Sequence, residues 1–403
     1  MAAWAVGLLL SSCAGNGSTD RGSPVMSETV LLAGRASPTA TSPRRAVVRR
    51  LSGGTWSETS LPVGLDASRI TISGFAYSGP DTIWAWSAGG ESAGIVLVSV
   101  DDGRSFEEVR DFIPTNATYG PPSICDLRFV AETDAWLITE AHPGLVSPVA
   151  NGVVFHSTTT GRTWESTEVA AADDAPATSS ACSEPWNGAG LLARAGHVEM
   201  VRNPQGALSG ARPTRVHRLP DPEGTLVRPA SEQFFATAWA ASGDRGWISG
   251  LFEPNEGVPK VAGRLGIVTA IGDSTWEEQP LPSCPGCFIA RVEFTPNGRG
   301  VACGHRADAA QCDRQPLCLF ARDGGTTWRE SRMPNKLRGL RITTLALSDD
   351  GEGAIATADA RDCVDDATPT GVLLESTDGG ATWNVGTSPV EGGFRATALT
   401  RAP

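Results

Sequence analysis

Short apolar runs separated by polar turns recur along most of the chain. In five places an apolar run leads into an acidic or Asn-Gly turn and then into a second run with small or aromatic residues, which is the pattern of a β-hairpin. The first runs read ITISGFAY, CDLRFVA, FFATAWAA, IARVEFT and ITTLALS. The turns and second runs read GPDTIWAW, ETDAWLIT, GDRGWISG, PNGRGVAC and DDGEGAIA. This repetition predicts that one unit of antiparallel sheet is built several times.

A second motif ends in an aromatic residue and recurs between these hairpins. Its clear copies are VSVDDGRSF ending at Phe106, HSTTTGRTW at Trp164, FARDGGTTW at Trp328 and ESTDGGATW at Trp383. We call these four copies the box segments. Weaker copies are RLSGGTW at Trp56 and TAIGDSTW at Trp276.

Each box segment is expected to form a tight turn between two antiparallel strands. Glycine supplies a positive φ, and the carboxylate accepts hydrogen bonds from backbone N–H groups that the turn leaves unpaired. We expect the closing Ser or Thr to start the outer strand and the aromatic ring to pack beneath the turn, where a ring buries on the order of 150 to 250 Å². Two copies depart from the pattern, since Ala321 replaces the serine and Thr159 replaces the carboxylate. The serine, carboxylate and glycine positions are Ser99, Asp101, Gly103, Ser157, Gly161, Asp323, Gly325, Ser376, Asp378 and Gly380.

The spacing of the aromatic residues gives the number of units. Successive aromatics from Trp56 to Trp383 are separated by 50, 58, 112, 52 and 55 residues. The gap of 112 is twice 56, which predicts one unit with a decayed box segment near residue 220, in TRVHRLPDPEG. Units of about 50 to 58 residues match the period of propeller blades with four strands each. We therefore predict an all-β fold: a seven-bladed β-propeller of four-stranded antiparallel blades, one of them degenerate.

The two ends of the predicted propeller, residues 46–403, are expected to complete one blade together. The chain ends with FRATALT, an inner-strand pattern that no partner strands follow. The ordered part begins with RAVVRRLSGGTWSETSLP, two outer-strand patterns that no inner strand precedes. Joining them closes the ring and leaves no open sheet edge, which would otherwise template aggregation.

The box segments resemble the Asp-box of bacterial neuraminidase repeats, S-x-D-x-G-x-[ST]-[WF]. Full matches end at Phe106 and Trp383. The pairing of hairpins with boxes is similar to propellers of the photosystem II assembly-factor type and, more distantly, to those of sialidases and sortilin. The resemblance covers roughly residues 46–403 and implies that the boxes lie at the blade rims, away from any catalytic face.

The N-terminus has the features of a bacterial lipoprotein signal. Residues 2–10 form an apolar run of signal-peptide length, too short to span a bilayer. Leu10-Ser11-Ser12-Cys13 resembles a lipobox, which predicts a signal peptide over residues 1–12 and a lipidated Cys13. No Lys or Arg precedes the apolar run, which suggests a start codon further upstream. The alternative is a stray cysteine in an ordinary cleaved signal.

Residues 13–45 are predicted to be the lipidated cysteine and a flexible tether. They are rich in Gly, Ser, Thr and Pro, and only the short ETVLLAG within them is a candidate for local order. Ala14 replaces the Asp that marks inner-membrane retention in enterobacteria, so we expect an outer-membrane lipoprotein facing the periplasm or the exterior.

Charge excludes one class of partner. The net charge is -12, and the 33 Lys and Arg residues are spread along the chain, so nothing indicates a nucleic-acid partner. Contact with the membrane is expected through the N-terminal lipid only.

The eight cysteines after Cys13 form an even set, which in an exported chain favours disulfides. Cys303 and Cys318 lie in two apolar runs that should be adjacent strands, and they are the preferred pair. Cys284-Pro-Gly-Cys287 has redox-motif spacing, but it lies in a loop without a helix N-terminus, and no second C-x-x-C completes a zinc ribbon. We therefore predict no metal and no cofactor. The candidates for disulfides are Cys125, Cys182, Cys284, Cys287, Cys303, Cys312, Cys318 and Cys363.

We expect a non-catalytic scaffold or assembly factor that binds a protein or a glycan. The binding surface would be the central face of the propeller or its long blade-internal loops, TEAHPGLVSPVANG, FEPNEGVPKVAG, GHRADAAQCDRQP and ADARDCVDDATPTG. The alternative is a sialidase-like or other glycoside hydrolase. Sialidase chemistry needs a tyrosine nucleophile, an arginine triad and an acid/base carboxylate, and Tyr77 and Tyr119 are the two tyrosines present. No catalytic residue is assigned.

Overall fold

The computed structural model describes most of the chain from residue 28 onward. The described residues are 28–36, 45–87, 94–110, 112, 123–139, 153–168, 189–194, 196–202, 214–219, 225–226, 234–252, 264–272, 275–284, 286–306, 314–335, 337, 339–359, 371–387 and 394–401. Cys13, the lipobox, Tyr119, Cys182, Cys312 and Cys363 lie outside them.

Every regular element in these residues is a β-strand. In chain order the strands are β1 (Val30–Ala36), β2 (Arg45–Ser52), β3 (Thr55–Glu58), β4 (Ile72–Tyr77), β5 (Ile83–Ser87), β6 (Val96–Ser99), β7 (Glu107–Val109), β8 (Ile124–Ala131), β9 (Asp134–Thr139), β10 (Val153–Ser157), β11 (Glu165–Glu168), β12 (Ala189–Arg194), β13 (His197–Arg202), β14 (Arg215–Arg218), β15 (Thr225–Leu226), β16 (Phe234–Ser242), β17 (Arg245–Phe252), β18 (Arg264–Ile271), β19 (Glu277–Gln279), β20 (Cys287–Phe294), β21 (Gly300–Arg306), β22 (Gln315–Ala321), β23 (Arg329–Glu330), β24 (Arg341–Leu347), β25 (Ala354–Asp359), β26 (Val372–Ser376), β27 (Asn384–Val385) and β28 (Phe394–Arg401).

The strands form seven four-stranded antiparallel sheets, which confirms the predicted seven-bladed propeller. Blades 1 to 6 each contain four consecutive strands, from β4–β7 to β24–β27. The first strand of each blade contacts the first strand of the next, and β28 contacts both β24 and β4, so the ring is closed. Blade 3, β12–β15, is the unit predicted near residue 220 without a box segment.

Blade 7 closes the ring differently from the prediction. Its order is β28-β1-β2-β3, so β1 lies between the C-terminal strand and β2. Residues Val30–Ala36 therefore belong to the propeller, and the predicted domain boundary at residue 46 is wrong for them. The run VLLAG supplies the apolar side chains for this position, since Val30, Leu31, Leu32 and Ala33 are all fully buried.

The core lies between adjacent blades, because each sheet is covered on both faces. All five residues of β5, IWAWS, are buried. Between blades 4 and 5 the Trp247 ring stacks on Phe294 with centroids 3.6 Å apart, and Phe294 meets Trp328 edge to face at 5.6 Å. Aromatic rings of neighbouring blades thus interlock, and such pairs stabilise a fold beyond the area they bury.

Strand direction gives the ring two different faces. The turns between first and second strands and those between third and fourth strands lie at the same ends of the blades, and we call this the box face. The connections between second and third strands lie at the opposite ends, together with the connections between blades. We call this the long-loop face, because the four long loops identified in the sequence connect second to third strands there. Most residues of those loops lie outside the described part of the chain.

Disulfides join two pairs of the described cysteines. Cys303 and Cys318 face each other directly on β21 and β22 with Cα atoms 4.1 Å apart, and they form the pair that the sequence favoured. Cys284 and Cys287 also form a disulfide, which gives the C-x-x-C spacing a structural use. Cys125 is disulfide-bonded as well.

Candidate functional site

The first box segment, between β6 and β7, is held by its serine and its carboxylate. The Ser99 hydroxyl donates to Asp101 Oδ1 at 2.7 Å and accepts from the Gly103 N–H at 2.9 Å. Asp101 Oδ1 also accepts from the N–H groups of Arg104 and Ser105, both at 3.0 Å. Burial disfavours the charged carboxylate, but hydrogen bonds from Ser105, Ser99 and Arg104 prevail and lower the pKa of Asp101 to about 2. The carboxylate therefore stays ionised and holds the turn.

The last box segment repeats this arrangement between β26 and β27. The Ser376 hydroxyl donates to Asp378 Oδ1 at 2.9 Å and accepts from the Gly380 N–H at 3.0 Å, while the Thr382 N–H donates to Asp378 Oδ1 at 2.7 Å. Gly380 has φ of +81°, and a Cβ there would lie 2.6 Å from Val301 of the preceding blade. This position therefore needs glycine both for its backbone conformation and for its contact with blade 5.

The two divergent box segments keep part of the network. Where Ala321 replaces the serine, Asp323 Oδ1 still accepts from the Thr327 N–H at 2.9 Å. Where Thr159 replaces the carboxylate, its hydroxyl accepts from the Thr163 N–H at 2.9 Å. A neutral hydroxyl thus takes the position of the carboxylate in blade 2 and supplies fewer acceptor sites.

The box aromatics lie beneath the turns, but the outer strands begin later than expected. Phe106, Trp328 and Trp383 are buried, and β7, β23 and β27 each start one residue after the aromatic. The closing residue pairs instead with the preceding blade: Ser105 bridges to Ser60, and Thr382 bridges to Arg332. The expectation that this residue starts the outer strand is therefore wrong, because the residues on either side of it form backbone hydrogen bonds with the chain leaving the previous blade.

Side chains from the preceding blade brace the turns of the box face from the side. Arg50 of blade 7 forms an ion pair with Asp102 in the first box segment, and its Nε donates to the Asp102 carbonyl at 2.7 Å. Arg299 of blade 5 pairs with Glu352 of blade 6. The Trp247 indole of blade 4 donates to the Gly324 carbonyl of blade 5 at 3.0 Å. The carboxylates and rings of the box face are thus used in holding blades together.

Blade 3 has no box segment and uses a buried ion pair at the same face. Arg194 forms two parallel hydrogen bonds with Glu199, at 2.8 and 2.6 Å, and both side chains are almost fully buried. The same guanidinium donates to the carbonyl groups of Asp244 and Gly272 in blade 4 and lies 5.4 Å from the centroid of the Trp276 ring. The ring of Trp276, the aromatic of a weaker box copy, therefore packs against the Arg194 guanidinium of the neighbouring blade.

Tyr77 has an environment unlike that of a nucleophile. It lies at the box-face end of β4, and burial together with the charge of Asp102 raises the pKa of its phenol above the ordinary value. A glycosidase nucleophile needs a lowered pKa instead.

Among the described residues no group of three or more His, Cys, Asp or Glu side chains is arranged to hold a metal ion. These residues also contain no helix suited to crossing a bilayer.

The long-loop face carries a group of arginines that no stretch of sequence reveals. Seven arginines lie at the long-loop ends of strands or in the adjoining connections of blades 5, 6 and 7 and the segment that leads into blade 1. We call this group the arginine sector, and it consists of Arg35, Arg45, Arg69, Arg306, Arg314, Arg341 and Arg395.

Three arginines of the sector form ion pairs with exposed carboxylates. Arg45 pairs with Glu58 at 3.5 Å, Arg69 with Asp66 at 3.2 Å and Arg306 with Glu330 at 3.3 Å, all with well-exposed partners. Exposed pairs of this kind contribute little to folding stability.

Two members of the sector meet at one buried carboxylate. Asp359, at the end of β25, lies 3.8 Å from Arg341 Nε at the start of β24 and 3.6 Å from Arg395 Nε at the start of β28. The two guanidinium groups come from the innermost strands of blades 6 and 7, so they lie beside the mouth of the central channel. Two guanidinium groups thus share one buried carboxylate at this part of the mouth.

The fold defines the class of the chain as a seven-bladed β-propeller, and the comparisons with known proteins add no family. No family model matches the sequence, and no curated protein matches it. Among solved structures, the chain is similar to YCF48 from Cyanidioschyzon merolae, with 16% identity over 88% of this chain and 97% of that chain and a TM-score of 0.49. It is also similar to the structure described as YCF48 bound to D1 peptide, with 14% identity over 90% of this chain and 82% of that chain and a TM-score of 0.36.

Proposed function

We propose that the chain is an exported, lipid-anchored propeller that binds a protein partner on its long-loop face without catalysing a reaction. The observation that carries the proposal is the one-sided distribution of connections. The long blade-internal loops join second to third strands, so the topology directs them to the face where two members of the arginine sector lie beside the channel mouth. The box face is occupied by contacts between blades.

The chemistry of the sector favours a partner with an acidic segment. Guanidinium groups recognise carboxylates through paired hydrogen bonds, and arginine is enriched in protein interfaces. Arg69 is 65% exposed and Arg45 is 52% exposed, so both reach a docked chain without rearrangement of the core. Charge complementarity of this kind raises the association rate and makes it depend on salt.

The lipobox sequence supports the proposed localisation. Lipidation of Cys13 would attach the ring to a bacterial membrane, and Ala14 after it favours the outer membrane. Labelling with radioactive palmitate should disappear in Cys13→Ala, and the protein should move from the membrane fraction to the soluble fraction. Unchanged labelling would contradict the anchor.

A matched pair of photo-crosslinking variants tests the binding face. A photoreactive amino acid replaces Arg69 on the long-loop face or Arg104, an exposed arginine of the first box segment. We expect a discrete cross-linked adduct from position 69 that weakens as salt rises, and none from position 104. An adduct from position 104 alone, or from neither position in cells that produce the protein, would refute docking on the long-loop face.

Charge reversal separates binding from folding in the same two positions. Arg69→Glu should weaken capture of the cross-linked partner about tenfold or more, whereas Arg104→Glu should not. Both variants should melt within a few degrees of the wild type. Both are then tested on a panel of fluorogenic glycosides that includes sialosides. Hydrolysis of any of them would overturn the proposal of a non-catalytic function in favour of glycoside hydrolysis.

A further inference from the structure

The first strand of the chain, β1, begins at the box face. In β1, Val30 pairs with Arg401, and Ala36 pairs with Phe394. Arg401 is the box-face end of β28, and Phe394 is its long-loop end. The residues before Val30 therefore join the ring at the box face.

The two residues before β1, Glu28 and Thr29, form contacts at the box face with the blades on both sides of blade 7. Toward blade 6, Glu28 lies 3.4 Å from Arg401 Nη1 and accepts from the Asp349 N–H at 3.2 Å, and Arg401 also pairs with Asp349. Toward blade 1, the Thr29 hydroxyl donates to Asp102 Oδ2 at 2.9 Å and accepts from Arg50 at 3.2 Å. The point where the chain joins the ring is thus held by contacts with blade 7 itself and with both neighbouring blades, 6 and 1.

We propose that this attachment orients the whole ring, with the box face toward the membrane and the long-loop face away from it. The inference rests on the Cys13 anchor in the proposed function. It goes beyond that function because it assigns a side of the membrane-bound protein to each face. The partner would then approach from the side opposite the lipid.

Chain length makes the opposite orientation unfavourable. The fifteen residue steps from Cys13 to Glu28 span at most about 50 Å, and a flexible segment of that length has a root-mean-square reach of about 20 Å. An inner strand of eight residues makes the ring about 26 Å thick, and two strand spacings from β1 to the outer edge add about 10 Å. A membrane on the long-loop side would therefore require a path of about 36 Å along the ring, well beyond the ordinary reach of the segment.

Energy transfer to the membrane surface measures this orientation. The full-length lipoprotein is reconstituted into phosphatidylcholine vesicles that contain rhodamine-headgroup lipid. A donor dye is placed on Arg104→Cys at the box face or on Arg215→Cys at the long-loop end of β14, both exposed arginines. We expect clearly stronger transfer from position 104, since transfer falls steeply with distance from the lipid plane.

The outcomes distinguish the orientation from the anchor. Vesicle-bound protein with equal transfer from both positions, or stronger transfer from position 215, overturns the orientation while leaving the anchor intact. Protein that does not float with the vesicles overturns both. Insertion of about 30 Gly and Ser residues after residue 27 should reduce the difference between the two dyes, because the reach of a flexible segment grows with the square root of its length. A difference that survives this insertion would show that something other than the attachment point sets the orientation.

Discussion

The two faces of the ring differ in how their charged and aromatic side chains are used. On the box face, Asp101, Asp378 and Arg194 are bonded within turns or to a neighbouring blade, at distances of 2.6 to 3.0 Å in their main contacts. On the long-loop face, Arg45 and Arg69 form exposed pairs. The comparison teaches that charged side chains hold blades together on the box face, whereas Arg45 and Arg69 on the long-loop face stay exposed.

Blade 6 and blade 3 are stabilised at the box face in two different ways. Blade 6 closes its third turn with Ser376, Asp378 and a buried tryptophan, and its network is local. Blade 3 has no box segment in its sequence and uses the pair of Arg194 with Glu199, and the Arg194 guanidinium also contacts blade 4. Changes on this face should therefore lower stability while leaving partner capture by folded protein unchanged.

The largest expected effect is removal of a box aromatic. Trp383→Ala should lower the free energy of unfolding by about 3 to 5 kcal/mol, because it leaves a cavity between blades 5 and 6. Trp56→Ala is the matched control, since this ring is only partly buried and should cost less. Urea unfolding followed by far-UV circular dichroism measures both. Equal losses in the two variants would contradict a special role for the box aromatic.

Breaking the buried pair of blade 3 should have the next largest effect. Arg194→Ala leaves Glu199 buried without its main partner, which typically costs 3 to 5 kcal/mol. We expect about 3 kcal/mol, because His197 Nε2 lies 3.3 Å from Glu199 and offers partial compensation. Thermal unfolding of the variant and of Arg194→Met with Glu199→Leu measures this, and the double variant should recover most of the loss. Failure of the apolar pair to recover stability would mean that the contacts with the blade 4 carbonyls matter more.

The carboxylate of a box segment should have a smaller, pH-dependent effect. Asp378→Ala should cost about 1 to 3 kcal/mol at pH 7, since it leaves the Thr382 N–H without its acceptor. Burial opposes ionisation, but hydrogen bonds from Thr382 and Ser376 lower the pKa of Asp378 below its ordinary 3.8. The stabilisation is therefore fully present above that value and is lost as pH falls below it. Thr159→Ala should cost less and show no such dependence, and urea midpoints from pH 3 to pH 7 compare the two. If the urea midpoints of the two variants depend on pH in the same way, the charge of Asp378 does not contribute to the stability of the turn.

The smallest expected effect lies beside the same turn. Burial raises the pKa of Glu375 above its ordinary 4.5, so the folded protein favours the neutral acid at this position. The contribution of Glu375 to folding stability is most favourable below pH 4.5 and is lost as pH rises through the raised pKa. Glu375→Gln should raise stability at pH 7 by about 0.5 kcal/mol or less and change little at pH 4. A thermal midpoint that falls at pH 7 would contradict this account.

The sequence alone was sufficient for the architecture because each blade repeats the same local physics. The hairpin runs and the aromatic spacing predicted seven units and located the degenerate blade, and the strands β4, β8, β16, β20 and β24 overlap the five predicted inner runs. The apolar pair of runs around Cys303 and Cys318 also pointed to the right disulfide. These features depend on contacts between residues that are close in sequence.

The tertiary structure decided what depends on residues far apart in the chain. The place of β1 could not be read from VLLAG alone, because only the pairing with β28 and β2 shows that a strand is needed there. Arg194 gave no signal as a brace, since the carbonyl groups it contacts belong to residues 244 and 272. The arginine sector is scattered from Arg35 to Arg395 and is diluted by an acidic composition. Ring closure brings these arginines to one face, because every blade presents the same ends of its strands on the same side.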